Sequence, residues 1–330
     1  MYSSFGLIGK ILILAGAIAT SAFAGNVSFS LSPYNALVFG SFSDNANFGG
    51  GIAAGGSVTI SSTNVADSLL REALSSFPSG YTLVAQGTLR ASNGAVTQGN
   101  VYGGGDPHDF SLTLASGSSY SQAPTPDPVD FASMQTMADS LSATLSQQTP
   151  TSTCSSNGYG TTTCNALSSG VTYFNVNPSM FGLNTTVNIN LGSTSSYAVF
   201  NVSGTSDAMT NWSFNINGSS YNGDSTTSLA DNVLFNYYQA TSLSMYSVIG
   251  TVLAPYATVT NAGSGQFDGQ LIANSFSANN GVTEFHNFGY TGALPLTLNA
   301  AATPAPEPMS LVLMGAGLIG VSLFAKRRIQ

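Results

Sequence analysis

Few side chains in this 330-residue sequence are equipped for acid–base or metal chemistry. It holds two histidines, two cysteines, six Lys plus Arg and fourteen Asp plus Glu. His108 sits in Gly103-Gly104-Gly105-Asp106-Pro107-His108-Asp109, which has the look of a calcium turn. A calcium-binding β-roll repeats its Gly-rich nonapeptide in tandem, and this copy is single and degenerate. It reads as a Gly/Asp turn. Glu284-Phe285-His286 places an acid and an imidazole on one side of a strand. Two such groups are too few for a zinc site, so the expectation is a solvated strand end. Asp207, Asp224 and Asp231 share a loop-rich region and are the candidates for the paired carboxylates of a polysaccharide hydrolase. A lyase would have to neutralise a uronate carboxylate with Arg71 or Arg90, the only bases away from the chain ends. No catalytic, cofactor or metal set is assigned, and the chain reads as a non-enzyme.

Cys154 and Cys164 lie in a Gly- and Ser-rich stretch read as a surface loop. In an oxidising compartment an even count implies one disulfide, which would contribute local order. The alternative is a metal or redox pair, but no helix N-terminus is predicted there to depress a thiol pKa.

The chain ends bear on the compartment. Lys10 precedes the apolar stretch Ile11 to Ala19, and Ala22-Phe23-Ala24 has the small-x-small form of a cleavage site. Cleavage between Ala24 and Gly25 is expected. At the other end Pro306-Glu307-Pro308 precedes an uncharged apolar run, Met309 to Ala325, and then Lys326-Arg327-Arg328. As a helix that run reaches about 25 Å, slightly short of a ~30 Å hydrocarbon core. The basic cluster would stay cytoplasmic. The expectation is a separate C-terminal transmembrane helix that anchors the protein, transiently, in the inner membrane. The tail resembles the PEP-CTERM sorting signal of Gram-negative bacteria in the order of its three parts. That resemblance implies recognition by export machinery, processing by an exosortase-type enzyme near Pro306-Glu307-Pro308, and a host that makes exopolysaccharide.

Four of the six bases (Lys10, Lys326, Arg327, Arg328) and one acid (Glu307) fall in these end segments. The remainder holds 2 bases against 13 acids. Nucleic acid is therefore excluded as a partner, since nothing is available to neutralise phosphates. Charged residues are only 6% of the chain, while hydrophobic residues reach 43%, a composition of secreted β-proteins and not of disorder.

A Gly-x-apolar-apolar-small pattern recurs from Gly50, Gly99, Gly250 and Gly269, with a looser copy from Gly80. Two of the intervals, Gly80 to Gly99 and Gly250 to Gly269, are 19 residues. A second short β-like run follows the copies from Gly50, Gly80, Gly250 and Gly269: Ser57-Val58-Thr59-Ile60, Thr88-Leu89-Arg90, Ala257-Thr258-Val259-Thr260 and Ser275-Phe276-Ser277. A period near twenty with several short strands is the mark of an all-β fold of the β-solenoid type. The alternative is a Greek-key sandwich whose Gly-rich turns mimic a repeat.

One long amphipathic helix is predicted from Asp127 to Leu145, capped by Asp127-Pro128, with Phe131, Met134, Ala138, Leu141 and Leu145 as its apolar stripe. It should pack alongside the solenoid. A second, shorter helix is expected at Asp67 to Leu74. The resulting organisation is a signal peptide (1–24), a solenoid domain (25–292), a linker (293–305) and a sorting signal (306–330).

Several phrases resemble the choice-of-anchor A family. These are Ala36-Leu37-Val38-Phe39-Gly40, Gly51-Ile52-Ala53-Ala54-Gly55-Gly56, Gly99-Asn100-Val101-Tyr102-Gly103, Asp130-Phe131, Val233-Leu234-Phe235-Asn236 and Gly250-Thr251-Val252-Leu253-Ala254-Pro255. Gly50-Gly51 departs from the family's usual charged opening. The resemblance implies a surface adhesin or structural domain without an active site, held among exopolysaccharide or other surface proteins. A third class is a flat-face carbohydrate- or ice-binding solenoid. Its Thr tracts, Thr161-Thr162-Thr163 and Thr226-Thr227, do not recur at the rung period, so no regular Thr ladder is expected.

Overall fold

Short runs of alternating apolar and small polar residues, broken at Gly, Asn and Ser, here become short strands that wind as a coil. The computed structural model describes residues 33–295, apart from 70–71, 106–109, 124, 211–212, 221–228 and 280. Among the described residues the fold is mostly β, with one α-helix, and its strands stack almost entirely in parallel, in a solenoid-like arrangement.

The first face shows how the coil is threaded. Tyr34–Val38 lies between Gly51–Ala54 and Leu271–Ser277, with Leu37 opposite both Ala53 and Ile272. From there the chain winds to one end through Tyr81–Ala85, Asn100–Gly103 and Tyr120–Gln122. It returns as helix α1 (Phe131–Ser146) and restarts at the far end with Gly170–Val176. Ser196–Val202, Val233–Asn236 and Thr251–Asn261 then lead back to Leu271–Ser277. Stacking order is therefore not chain order, and the two halves meet beside the first strand.

Parallel stacking at ~4.8 Å brings like residues into columns inside the coil. Phe174, Phe200 and Phe235 are in register, with ring centroids 4.8 and 5.1 Å apart. Phe48, Phe285 and Phe267 form a second stack at 4.9 Å steps. Such pairs add to the stabilisation from apolar burial.

Helix α1 packs on the outer side of the first face, chiefly against Thr251–Asn261 and also against Val233–Asn236. Phe131, Ala138, Leu141 and Leu145 face the sheet as the stripe predicts, and Met134 is half-buried. The cap differs from expectation. Asp130 is the N-cap, accepting from Ser133 N–H at 3.0 Å, and Asp127 instead accepts from Val129 N–H at 3.0 Å. The helix therefore begins at Phe131, beyond Asp127-Pro128, where the Asp130 carboxylate caps the free N–H of Ser133. The second helix expected at Asp67 to Leu74 is not formed by the described residues. Leu74–Ser76 and Pro78–Gly80 are single 3-10 turns, since Pro78 supplies no N–H to extend a helix.

Cys154 and Cys164 are joined as a disulfide. The loop expected around them is a hairpin, Cys154–Ser156 against Thr161–Asn165, with the two cysteines directly opposite. The expected cleavage site Ala24/Gly25, the sorting motif Pro306-Glu307-Pro308 and the apolar run 309–325 lie outside the described residues. Among the described residues no helix is long and apolar enough to cross a membrane.

Candidate functional site

The second face carries the most regular outward surface. Its strands are Leu89–Ser92, Val58–Ser61, Phe42–Asp44, the end of Leu271–Ser277, the end of Thr251–Asn261, Ser242–Met245 and Ser206–Met209. Alternation sends Leu89, Val58, Phe42, Phe276, Val259 and Leu243 into the core. The residues between them point out and stack in register. One row reads Arg90, Thr59, Ser43, Ser277, Thr260, Ser244, Ala208. Two residues earlier on each strand, a second row reads Thr88, Ser57, Ser41, Ser275, Thr258, Ser242, Ser206.

Twelve of these fourteen positions are Ser or Thr. The hydroxyls repeat at ~4.8 Å, over roughly 19 Å in the first row, which ends in Arg90 and Ala208, and over roughly 29 Å in the second, and the rows lie ~7 Å apart. Arg90, at one end, is the only charge among the fourteen. Ser275 Oγ donates to Thr258 Oγ1 at 3.3 Å, and Ser57 N–H donates to Ser41 Oγ at 3.2 Å, so some hydroxyls are pre-oriented by neighbours. No regular Thr ladder was expected, yet a mixed Ser/Thr ladder is present. Four of its seven strands are the runs that follow the Gly motifs. Serine and threonine alternate in them, and several rungs carry insertions, so a search for Thr at a fixed interval misses the surface.

The other candidates do not converge. His286 is buried, not a solvated strand end, and its Nδ1 lies 2.8 Å from Asp268 Oδ1. Glu284 Oε1 is 3.9 Å from His286 Nε2. Asp207 is on the core side of the second face, paired in register with Leu243. Burial raises its pKa, and its field in turn helps raise that of the fully buried Tyr237. Asp231 is buried in a turn before Val233–Asn236 on the first face. Asp224, Arg71, His108, Asp106 and Asp109 lie outside the described residues. Among the described residues no three His, Cys, Asp or Glu are grouped to hold a metal ion. Asp44 is the buried last residue of Phe42–Asp44, in register with Ile60. It accepts from Asn45 N–H at 2.7 Å and Thr283 N–H at 3.3 Å, yet burial dominates and pushes its pKa up to about 7.

The described chain is thus a stacked parallel-β body with one helix laid on its first face and a long hydroxyl-lined second face. The chain belongs to the family described as "Putative Ice-binding-like adhesive domain", which matches residues 30–287. No curated protein matches it. Among solved structures it is similar to an ice-binding protein from an Antarctic biological consortium, at 13% identity, TM-score 0.37, over 85% of this chain and 96% of that one. It is also similar to the ice-binding protein of the Antarctic ascomycete Antarctomyces psychrotrophicus, at 14% identity, TM-score 0.34, over 82% and 98%.

Proposed function

We propose that this protein is an exported, non-catalytic adhesin of the cell surface or extracellular matrix, and that its second face is the adhesive surface. The single observation that carries this is the double row of hydroxyls. A regular array of hydroxyl donors and acceptors at fixed spacing matches a ligand that is itself extended and repeating. Each contact is weak, and simultaneous engagement along the row supplies strength. The near-absence of charge points to a neutral polyhydroxylated chain, such as an exopolysaccharide. The family's description favours a second reading, in which the same lattice of hydroxyls engages ice.

Export through cleavage near Ala24, a choice-of-anchor A type of domain and PEP-CTERM sorting by an exosortase at Pro306-Glu307-Pro308 complete the proposal. Membrane anchoring through residues 309–325 is then transient. The terminal motifs quoted above support these steps.

Deleting the gene and scoring cell aggregation, attachment and matrix retention tests the adhesin reading. Loss of these, restored by the wild-type gene, is expected. Unchanged surface behaviour, with purified protein that shapes ice crystals but binds no polysaccharide, would favour the ice reading. Turnover of a polysaccharide, abolished by Asp207→Asn or Asp231→Asn, would replace both with an enzyme.

A further inference from the structure

The far end of the coil carries a second polar array that the hydroxyl face does not include. Thr161–Asn165, Thr186–Asn190 and Ser213–Ile216 pair in parallel, and Cys164, Val187, Ile189 and Phe214 fill the core beneath them. Outward, Thr163, Asn188 and Asn215 form one row, and Asn165 and Asn190 begin another. Amide bonds run between strands: Asn190 Nδ2 donates to Asn165 Oδ1 and Asn215 Nδ2 to Asn188 Oδ1, each at 2.9 Å. These bonds fix the planes of the amides. Each Asn keeps a further acceptor lone pair or N–H for a ligand.

At the end where these strands begin stands Tyr159, 93% exposed. The turn that carries it is held. Asn157 Oδ1 accepts from the N–H of Tyr159 at 2.8 Å and of Thr161 at 3.0 Å, and the disulfide closes the hairpin behind it. A large aromatic side chain presented to water on a fixed turn, with no partner surface, exposes an apolar face and a polar tip. None of the outward sheet residues is ionisable.

We infer that Tyr159 and this Asn/Thr array form a separate binding site for a neutral glycan chain. A sugar ring has an apolar C–H face suited to an aromatic ring and an edge of hydroxyls suited to fixed amides. The absence of charge selects against uronate-rich or sulfated chains. The site does not depend on the second face being adhesive. If both bind, one molecule bridges two chains and gains avidity.

Affinity electrophoresis of the full protein through gels containing dextran, mannan, hydroxyethyl cellulose or alginate tests this. Retardation by at least one of the three neutral polymers is expected, with about a tenfold rise in apparent Kd for Tyr159→Ala. The paired change Asn190→Ala with Asn215→Ala should weaken binding in the same direction, at unchanged melting temperature for Tyr159→Ala. Ser277→Lys, on the second face, should leave Tyr159-dependent retardation in place. Retardation insensitive to Tyr159→Ala, retardation by alginate alone, or none by any neutral polymer would overturn the inference. Loss in Ser277→Lys with retention in Tyr159→Ala would assign all glycan binding to the second face.

Discussion

Ser142 and Asn236 exchange hydrogen bonds where helix α1 meets the first face: Ser142 Oγ donates to Asn236 Oδ1 at 2.6 Å, and Asn236 Nδ2 donates to Ser142 O at 2.9 Å. Asn236 Nδ2 also donates to Asn201 Oδ1 at 2.9 Å, and Asn201 Nδ2 to Leu145 O at 2.8 Å. A buried pair of side-chain amides thus holds the last turns of the helix to the coil. Asn236→Ala strips Ser142 of its partners in a dry interface and should cost about 1–3 kcal/mol. Urea unfolding of wild type and variant measures this.

Leu141 is fully buried in the same interface, whereas Met134 is half-buried. Leu141→Ala should destabilise the protein by about 2–5 kcal/mol through lost burial and a cavity. Met134→Ala should cost clearly less. Equal, small effects on the thermal midpoint would mean that the helix is not docked.

Asp44 sets a pH dependence. Its carboxyl titrates near 7 in the folded protein against 3.8 for the ordinary value, because burial penalises its charge. Between those two values the folded state holds a proton that the unfolded state has released. Stability therefore falls as pH rises from about 4 to 7. Asp127, Asp139 and Asp207 are shifted the same way by burial and add to the slope. Asp44→Asn should flatten, without abolishing, the change in urea midpoint between pH 4.5 and 7.5.

The disulfide closes a short hairpin, with a sequence separation of 10. A loop of that size is worth about 2–3 kcal/mol of chain entropy at most. Reduction should speed proteolysis within the turn at residues 157–160 far more than it lowers the thermal midpoint. Limited proteolysis with and without reductant checks this.

Much of the coil was legible because Gly-x-apolar-apolar-small marks the start of first-face strands: Gly51–Ala54, Thr251–Asn261 and Leu271–Ser277 all follow it. The middle was not, because stacking is out of chain order. Val38 and Ala273 are neighbours across the sheet although they lie at opposite ends of the domain. Insertions also stretch the period: Ile52 pairs with Leu83 and Ala198 with Val233. The hydroxyl face was hidden for a related reason. Ser43 and Ser277 are adjacent only because the two halves of the chain meet. His286 looked solvent-exposed, since nothing local reveals that Asp268 lies 2.8 Å away on the next strand.

The central claim is that the second face does the adhering, and Ser277 and Thr260 stand side by side in its middle. The most direct measurement is a binding isotherm of the protein on the host's own extracted exopolysaccharide, for wild type and for Ser277→Lys with Thr260→Lys. Two lysines there break the hydroxyl row without touching the core. The account predicts saturable binding that the double variant weakens by about tenfold or more, at an unchanged thermal midpoint. Equal binding by both proteins would contradict it.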